Sequence, residues 1–149
     1  MPMKTIVVSS FNPVNGPMPH FLVTDGFVSE NIKEEISSML TLKPSTDYFI
    51  VRIGNITTYN LQFTIKSSKS RGNVEILMLS FVTDEFPSKK TEDYFLKESK
   101  PILAYFQQEP FSELVFHLQG DFSDEEYTIV ERIYEESIQR LQLMLNGYS

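Results

Sequence analysis

The chain has 149 residues and a formal net charge of −7, which argues against nucleic acid as its main partner, because phosphate neutralisation needs a basic face. It has no cysteine, so disulfides, thiolate metal sites and cysteine nucleophiles are excluded together. Its apolar share of 41% and charged share of 22% are those of a soluble globular protein, and no run approaches the roughly 20 apolar residues that span a bilayer.

The start, Met1-Pro2-Met3-Lys4, leads directly into a strand pattern with no signal-peptide layout, so the cytoplasm is the expected location. Thr5 to Val23 reads as a hairpin. An apolar strand runs into a Pro/Asn/Gly turn, and a second apolar run carries the chain back. Asn15-Gly16 tolerates the positive φ of a tight connection. Pro13, Pro17 and Pro19 bracket the turn and confine the returning strand to a sheet edge, because proline cannot donate to a ladder. Ser29 then caps a helix expected to run to about Leu42, with Ile32, Ile36, Met39 and Leu40 at helical spacing. Leu42-Lys43-Pro44 ends it, since the residue before proline is pushed out of the α region.

Tyr48 to Ile53 is a strand turned by Gly54-Asn55. In Tyr59-Leu61-Phe63-Ile65 the apolar residues alternate with Asn60, Gln62 and Thr64, which predicts one buried and one wetter face. Ser67 to Asn73 is a polar loop. Val74 to Val82 is nearly continuous apolar and reads as a central strand covered on both faces. The remainder is helical. A segment from Thr91 carries Tyr94, Phe95, Ile102, Leu103 and Phe106, and Pro101 inside it predicts a kink or a break. Phe111 to Leu118 is short, apolar and ambiguous. Ser123-Asp-Glu-Glu126 has the form of a capping box. After it, Tyr127, Val130, Tyr134, Ile138, Leu141 and Leu145 form a stripe, with Gly147 as the C-cap.

The order strand, strand, helix, three strands, then helices predicts an α+β fold. Its expected core is a five-stranded, mainly antiparallel sheet with helices on both faces, in a single domain over residues 1–149. Charge is uneven. No lysine follows Lys100, acids crowd the C-terminal part, Lys66, Lys69 and Arg71 cluster in one loop, and Lys89 and Lys90 are assigned to another. His20 and His117 have no metal-ligand spacing. No nucleophile elbow, phosphate-binding loop or dinucleotide fingerprint occurs. Neither a cofactor nor a metal is expected, and nothing suggests a self-contained enzyme.

Ser-Phe-Asn-Pro, at Ser10 to Pro13, followed by Gly16-Pro17, resembles the opening of one branch of longin domains. That branch occurs in the nitrogen-permease-regulator-like subunits of the GATOR complex, in folliculin and in DENN proteins. The element order is the longin, profilin-like order. The resemblance covers residues 4 to 106, and the C-terminal helix matches only in general character. In the regulator-like and folliculin members, an arginine in a Ser-Arg-Asn setting before an apolar strand acts as an arginine finger toward a Rag-type GTPase. Ser70-Arg71 matches that setting, whereas Gly72 is inserted before Asn73. From residue physics alone Arg71 is a solvated hairpin arginine. The resemblance instead implies partner contact through Lys69, Ser70, Arg71 and Gly72, with Arg71 as the finger. Without the long second domain of the regulator-like subunits, the chain would be a minimal, stand-alone version of archaeal type.

The function implied is a protein-interaction module in membrane-traffic or nutrient-type signalling. Its partner would be a Ras-like small GTPase, a second copy, or another longin or roadblock subunit. Recruitment to membranes would come only through a partner. The alternative is a GTPase-activating protein using Arg71. A small-molecule sensor fits least, because nothing polar interrupts the apolar stripes to suggest a pocket. Self-association or pairing is expected through the Tyr48 to Ile53 edge or the face of the Ser29 helix.

Overall fold

The computed structural model describes residues 3–12, 16–26, 29–40, 47–66, 74–108 and 123–148. Strands β1 (Lys4–Asn12) and β2 (Gly16–Thr24) form the expected hairpin, and Gly16 takes a φ of 79° at its turn. Helix α1 (Glu30–Ser38) follows, with the Ser29 side chain accepting from the Ile32 N–H as N-cap. Then come β3 (Asp47–Ile53), β4 (Ile56–Lys66) and β5 (Val74–Thr83). Helices α2 (Lys89–Phe106) and α3 (Asp124–Gly147) complete the described elements.

The five strands form one open sheet in the order β2-β1-β5-β4-β3, and all four pairings are antiparallel. β5 lies at its centre, as its apolar run requires. Leu77, Leu79 and Phe81 face α2 and α3 together with Ile6, Val8, Phe21, Tyr59 and Phe63. Met78 and Val82 face the other way, against Ile36 and Leu40. Helices therefore lie on both faces, with α1 over β1 and β2 on one side and α2 and α3 on the other.

Several elements depart from expectation. α1 stops at Ser38, short of Leu42, where the Met39 and Leu40 N–H groups close i→i+3 bonds on Ile36 and Ser37 and tighten the last turn. The Pro44 stop lies outside the described residues. The second face of β4 is not wet: Asn60 and Gln62 are buried. There Asn60 Nδ2 donates to Phe49 O, Thr58 O and Thr58 Oγ1, while Ser80 Oγ donates to Asn60 Oδ1 at 2.8 Å. Ser9 and Ser37 hydroxyls share a further buried bond of 3.0 Å between β1 and α1. Small polar groups that satisfy one another can be buried as fully as apolar ones.

Pro101 does not break α2, which is one continuous helix. Both Pro101 and Lys97, whose carbonyl loses its helical donor, are exposed, so that carbonyl is open to solvent rather than stranded in the core. Lys89 and Lys90 are not in a loop but open α2, behind a Ser88 cap. The capping box of α3 forms as expected, with Ser123 Oγ accepting from Glu126 N and Glu126 Oε1 accepting from Ser123 N. Its buried stripe is Val130, Ile133, Ser137, Leu141, Met144 and Leu145, whereas Tyr127 and Ile138 are exposed. Gly147 is the last helical residue and takes no positive φ. A Cβ there would stand 2.8 Å from the Tyr94 hydroxyl, so its smallness serves close packing rather than a left-handed cap.

Replacing Asn60 by alanine removes the acceptor of the buried Ser80 hydroxyl and the side-chain donor that ties β4 to β3. The expected loss of stability is about 1–3 kcal/mol, read from the shift in urea midpoint at unchanged slope. A variant as stable as the parent would show that this network is dispensable.

Candidate functional site

The β4–β5 ladder closes with Lys66 opposite Val74, so the end of β4 and the start of β5 are neighbours at one end of the sheet. The four residues expected to contact a partner, Lys69, Ser70, Arg71 and Gly72, lie outside the described residues. β1 pairs with β5 from Lys4 opposite Thr83 to Ser10 opposite Leu77. The end of β1 therefore lies at the same end of the sheet as the start of β5. Asn12 and Gly16 close the first hairpin there, Phe11 pairs with Pro17, and Pro13 lies outside the described residues. The topology thus brings both sequence motifs, the Phe11-Asn12 opening and the strand ends that flank Ser70-Arg71, to one end of the sheet. Gln107 Nε2 donates to Thr64 O at 3.3 Å and ties the C-terminal end of α2 to the same region.

A second polar constellation has a different origin. The β1–β2 register shifts between Val8 and Ser9: Val8 pairs with Phe21 but Ser9 with Pro19, so His20 is the extra residue of a bulge. The bulge sends His20 and Phe21 to the same side, toward α3. Tyr134 lies beside both rings, with centroids at 5.5 and 5.0 Å, and its hydroxyl meets His20 Nε2 at 2.6 Å. Burial lowers the His20 pKa from 6.5 to about 4 and raises that of Tyr134 to about 12. At neutral pH the imidazole is therefore uncharged, and it shares a hydrogen bond with the Tyr134 hydroxyl. This arrangement fastens α3 to an edge strand. His117, the other histidine, is outside the described residues.

The lysines that open α2 point the wrong charge at a helix N-terminus. Their surroundings compensate. Lys89 Nζ lies 3.1 Å from Asp93 and 3.3 Å from Glu92, and those carboxylates raise its pKa, Asp93 most. Lys90 Nζ lies 5.5 Å from the Tyr148 ring. Arg52 was not singled out in the sequence, although a lone charge in the apolar run Tyr48 to Ile53 could have drawn notice. Its Nη1 donates to Thr57 Oγ1 at 2.7 Å and Glu85 O at 3.1 Å, and its guanidinium lies 4.6 Å from the Phe86 ring centre.

Among the described residues no three His, Cys, Asp or Glu side chains are grouped so as to hold a metal ion. Among the same residues no helix is long and apolar enough to cross a membrane. No protein-family model matches the chain, and no curated protein matches it.

The buried neutral His20 makes stability depend on pH. In the unfolded chain it binds a proton near pH 6.5, whereas in the fold it does so only near pH 4. Between those values the unfolded state holds more protons, so stability falls as pH drops through the window. From pH 7 to pH 4.5 the parent should lose about 2–3 kcal/mol more than His20→Gln, which keeps a hydrogen-bonding side chain beside Tyr134. Urea titrations at the two pH values measure the difference; equal losses would remove His20 as the cause.

Proposed function

We propose that the chain is a longin-type protein-interaction module. Its partner is a Ras-like small GTPase or a longin or roadblock subunit, in membrane-traffic or nutrient-type signalling. The observation that carries the reading is the sheet itself. Two strands, a helix and a three-strand meander interleave so that β5 inserts between β1 and β4, with α1 on one face and α2 and α3 on the other. That is the element order the opening motif implies. On this reading the protein works in the cytoplasm and reaches membranes only through its partner.

A second reading, a GTPase activator, is favoured by the setting of Arg71. Phosphoryl transfer spreads negative charge over the γ-phosphate oxygens, and a guanidinium fork bridges them in a way an ammonium does not. In support, Lys66 and Val74, the described residues on either side of Arg71 in the chain, are paired across β4 and β5. A finger supplied in trans is worth on the order of 10³–10⁵ in rate.

The test is GTP hydrolysis by small GTPases of the same genome, with and without the chain, alongside a direct binding measurement. Binding without stimulation is the result expected of the module; binding to none of them counts against the GTPase as partner. Where stimulation occurs, Arg71→Ala should remove most of it and leave affinity nearly intact, because a finger acts on charge that develops in the transition state. Arg71→Lys should rescue poorly. Unchanged hydrolysis with Arg71→Ala would end the catalytic reading.

A further inference from the structure

We propose that the pocket holding the Tyr148 ring is a tyrosine-binding site. Tyr148 is its resident, exchangeable occupant, and a tyrosine side chain of a partner protein can take its place. The inference requires neither a GTPase nor the longin reading, because the contacts of one side chain carry it.

Tyr148 follows the last turn of α3, where the backbone leaves the helix at φ −82° and ψ 127°. Its ring is buried among residues of β1, β5 and α2. Phe81 of β5 and Tyr94 of α2 meet it at 67° and 57°, with centroids 5.3 and 5.1 Å away, close to the edge-to-face geometry that aromatic pairs favour. Lys4 of β1 and Lys90 of α2 hold their ammonium groups 5.9 and 5.5 Å from the ring centre, within cation–π range. The hydroxyl shares a hydrogen bond with Thr91 Oγ1. Each part of a phenol is therefore met by a group suited to it.

An exchangeable occupant differs from a core side chain in what its departure leaves behind. Here the polar lining keeps its partners. Thr91 Oγ1 retains Ser88 Oγ at 2.8 Å, and the Tyr94 hydroxyl retains the Met144 carbonyl. Lys4 Nζ donates to Tyr148 O, but it also donates to Leu145 O at 3.3 Å and faces Asp25 at 3.7 Å. Lys90 is exposed. No buried polar group of the lining is stranded, so the heaviest cost of emptying a pocket is absent.

α3 need not move either. Its buried stripe ends at Leu145, and the Tyr148 amide reaches Leu145 O only at 3.5 Å. Gly147, between them, has no Cβ and can absorb the backbone rotation that carries the ring out.

The contacts favour a tyrosine within a chain over a free phenol. Lys4 Nζ donates to the Tyr148 main-chain carbonyl at 3.0 Å, so the pocket meets backbone as well as ring. Tyrosine is also among the residues that most often anchor protein interfaces.

Titration of full-length Tyr148→Ala with N-acetyltyrosinamide, followed by backbone NMR, should shift the Phe81, Thr91 and Tyr94 amides to saturation. p-Cresol, which lacks the carbonyl that Lys4 meets, should bind more weakly. Adding Thr91→Val should weaken binding about tenfold, because the phenol hydroxyl loses its buried partner. In the parent, N-acetyltyrosinamide should displace the resident ring and move the Tyr148 amide resonance, at a higher concentration than the variant needs. A folded variant that binds neither probe overturns the proposal. Binding of p-cresol alone overturns the partner tyrosine in favour of a free phenol. A parent whose Tyr148 amide does not respond up to the solubility limit of N-acetyltyrosinamide also overturns it, whether or not the variant folds. Each of these failures leaves the hydrolysis assay to judge the module reading.

Discussion

The structure depends on one constraint: β5 has no face that can meet water. From Leu77 to Val82 every side chain is buried, apolar residues lie on both sides, and only Ser80 is polar. Each of these large side chains contributes about 1.5–3 kcal/mol when removed from water. That gain is lost unless both faces are covered, so helices must lie above and below. The strand must also have partners on both sides, which puts β1 and β4 beside it and leaves β2 and β3 as the edges.

The two faces are covered by different means. Toward α2 and α3 the interior is large, aromatic and apolar, built on Phe21, Tyr59, Phe63, Phe81, Phe95 and Phe106. Toward α1 it is a small apolar cluster beside a polar field of Thr5, Ser9, Thr58, Asn60, Gln62 and Ser80, all buried. The apolar side supplies most of the burial. The polar side supplies register, because Asn60 reaches Phe49 O, Thr58 and Ser80 together only when β3, β4 and β5 are correctly aligned. A slip by one residue would strand these groups and also turn β5 over.

Much of the fold was legible because it follows from local rules. The Pro/Gly turn gave the first hairpin and its edge position, Gly54-Asn55 gave the second, and the Ser123–Glu126 box gave the start of α3. What escaped was set by partners distant in sequence. The polar face of β4 looks wet until Ser80, twenty residues on, answers Asn60. Ser137 sits in the buried stripe of α3 by returning its hydroxyl to Ile133 O, so the apolar pattern misplaced Tyr127 and Ile138. The bulge that turns His20 toward Tyr134 depends on pairing across the hairpin and leaves only Pro19 as a trace. Of the candidate site, the sequence supplied residue types at Ser70-Arg71. The shared end of the sheet became visible only with the β1–β5 register.

The two edges of the sheet are unequal: β2 carries Pro17, Pro19 and a bulge, whereas β3 pairs with β4 in unbroken register. Amide hydrogen exchange, resolved by residue, tests the central claim most directly, namely that β5 is covered on both faces and paired on both sides. The amides from Leu77 to Val82 should exchange only when the whole fold opens. Those of the edge strand β2 should exchange faster. Exchange from Leu77 to Val82 as fast as that of the edge strand would contradict the account.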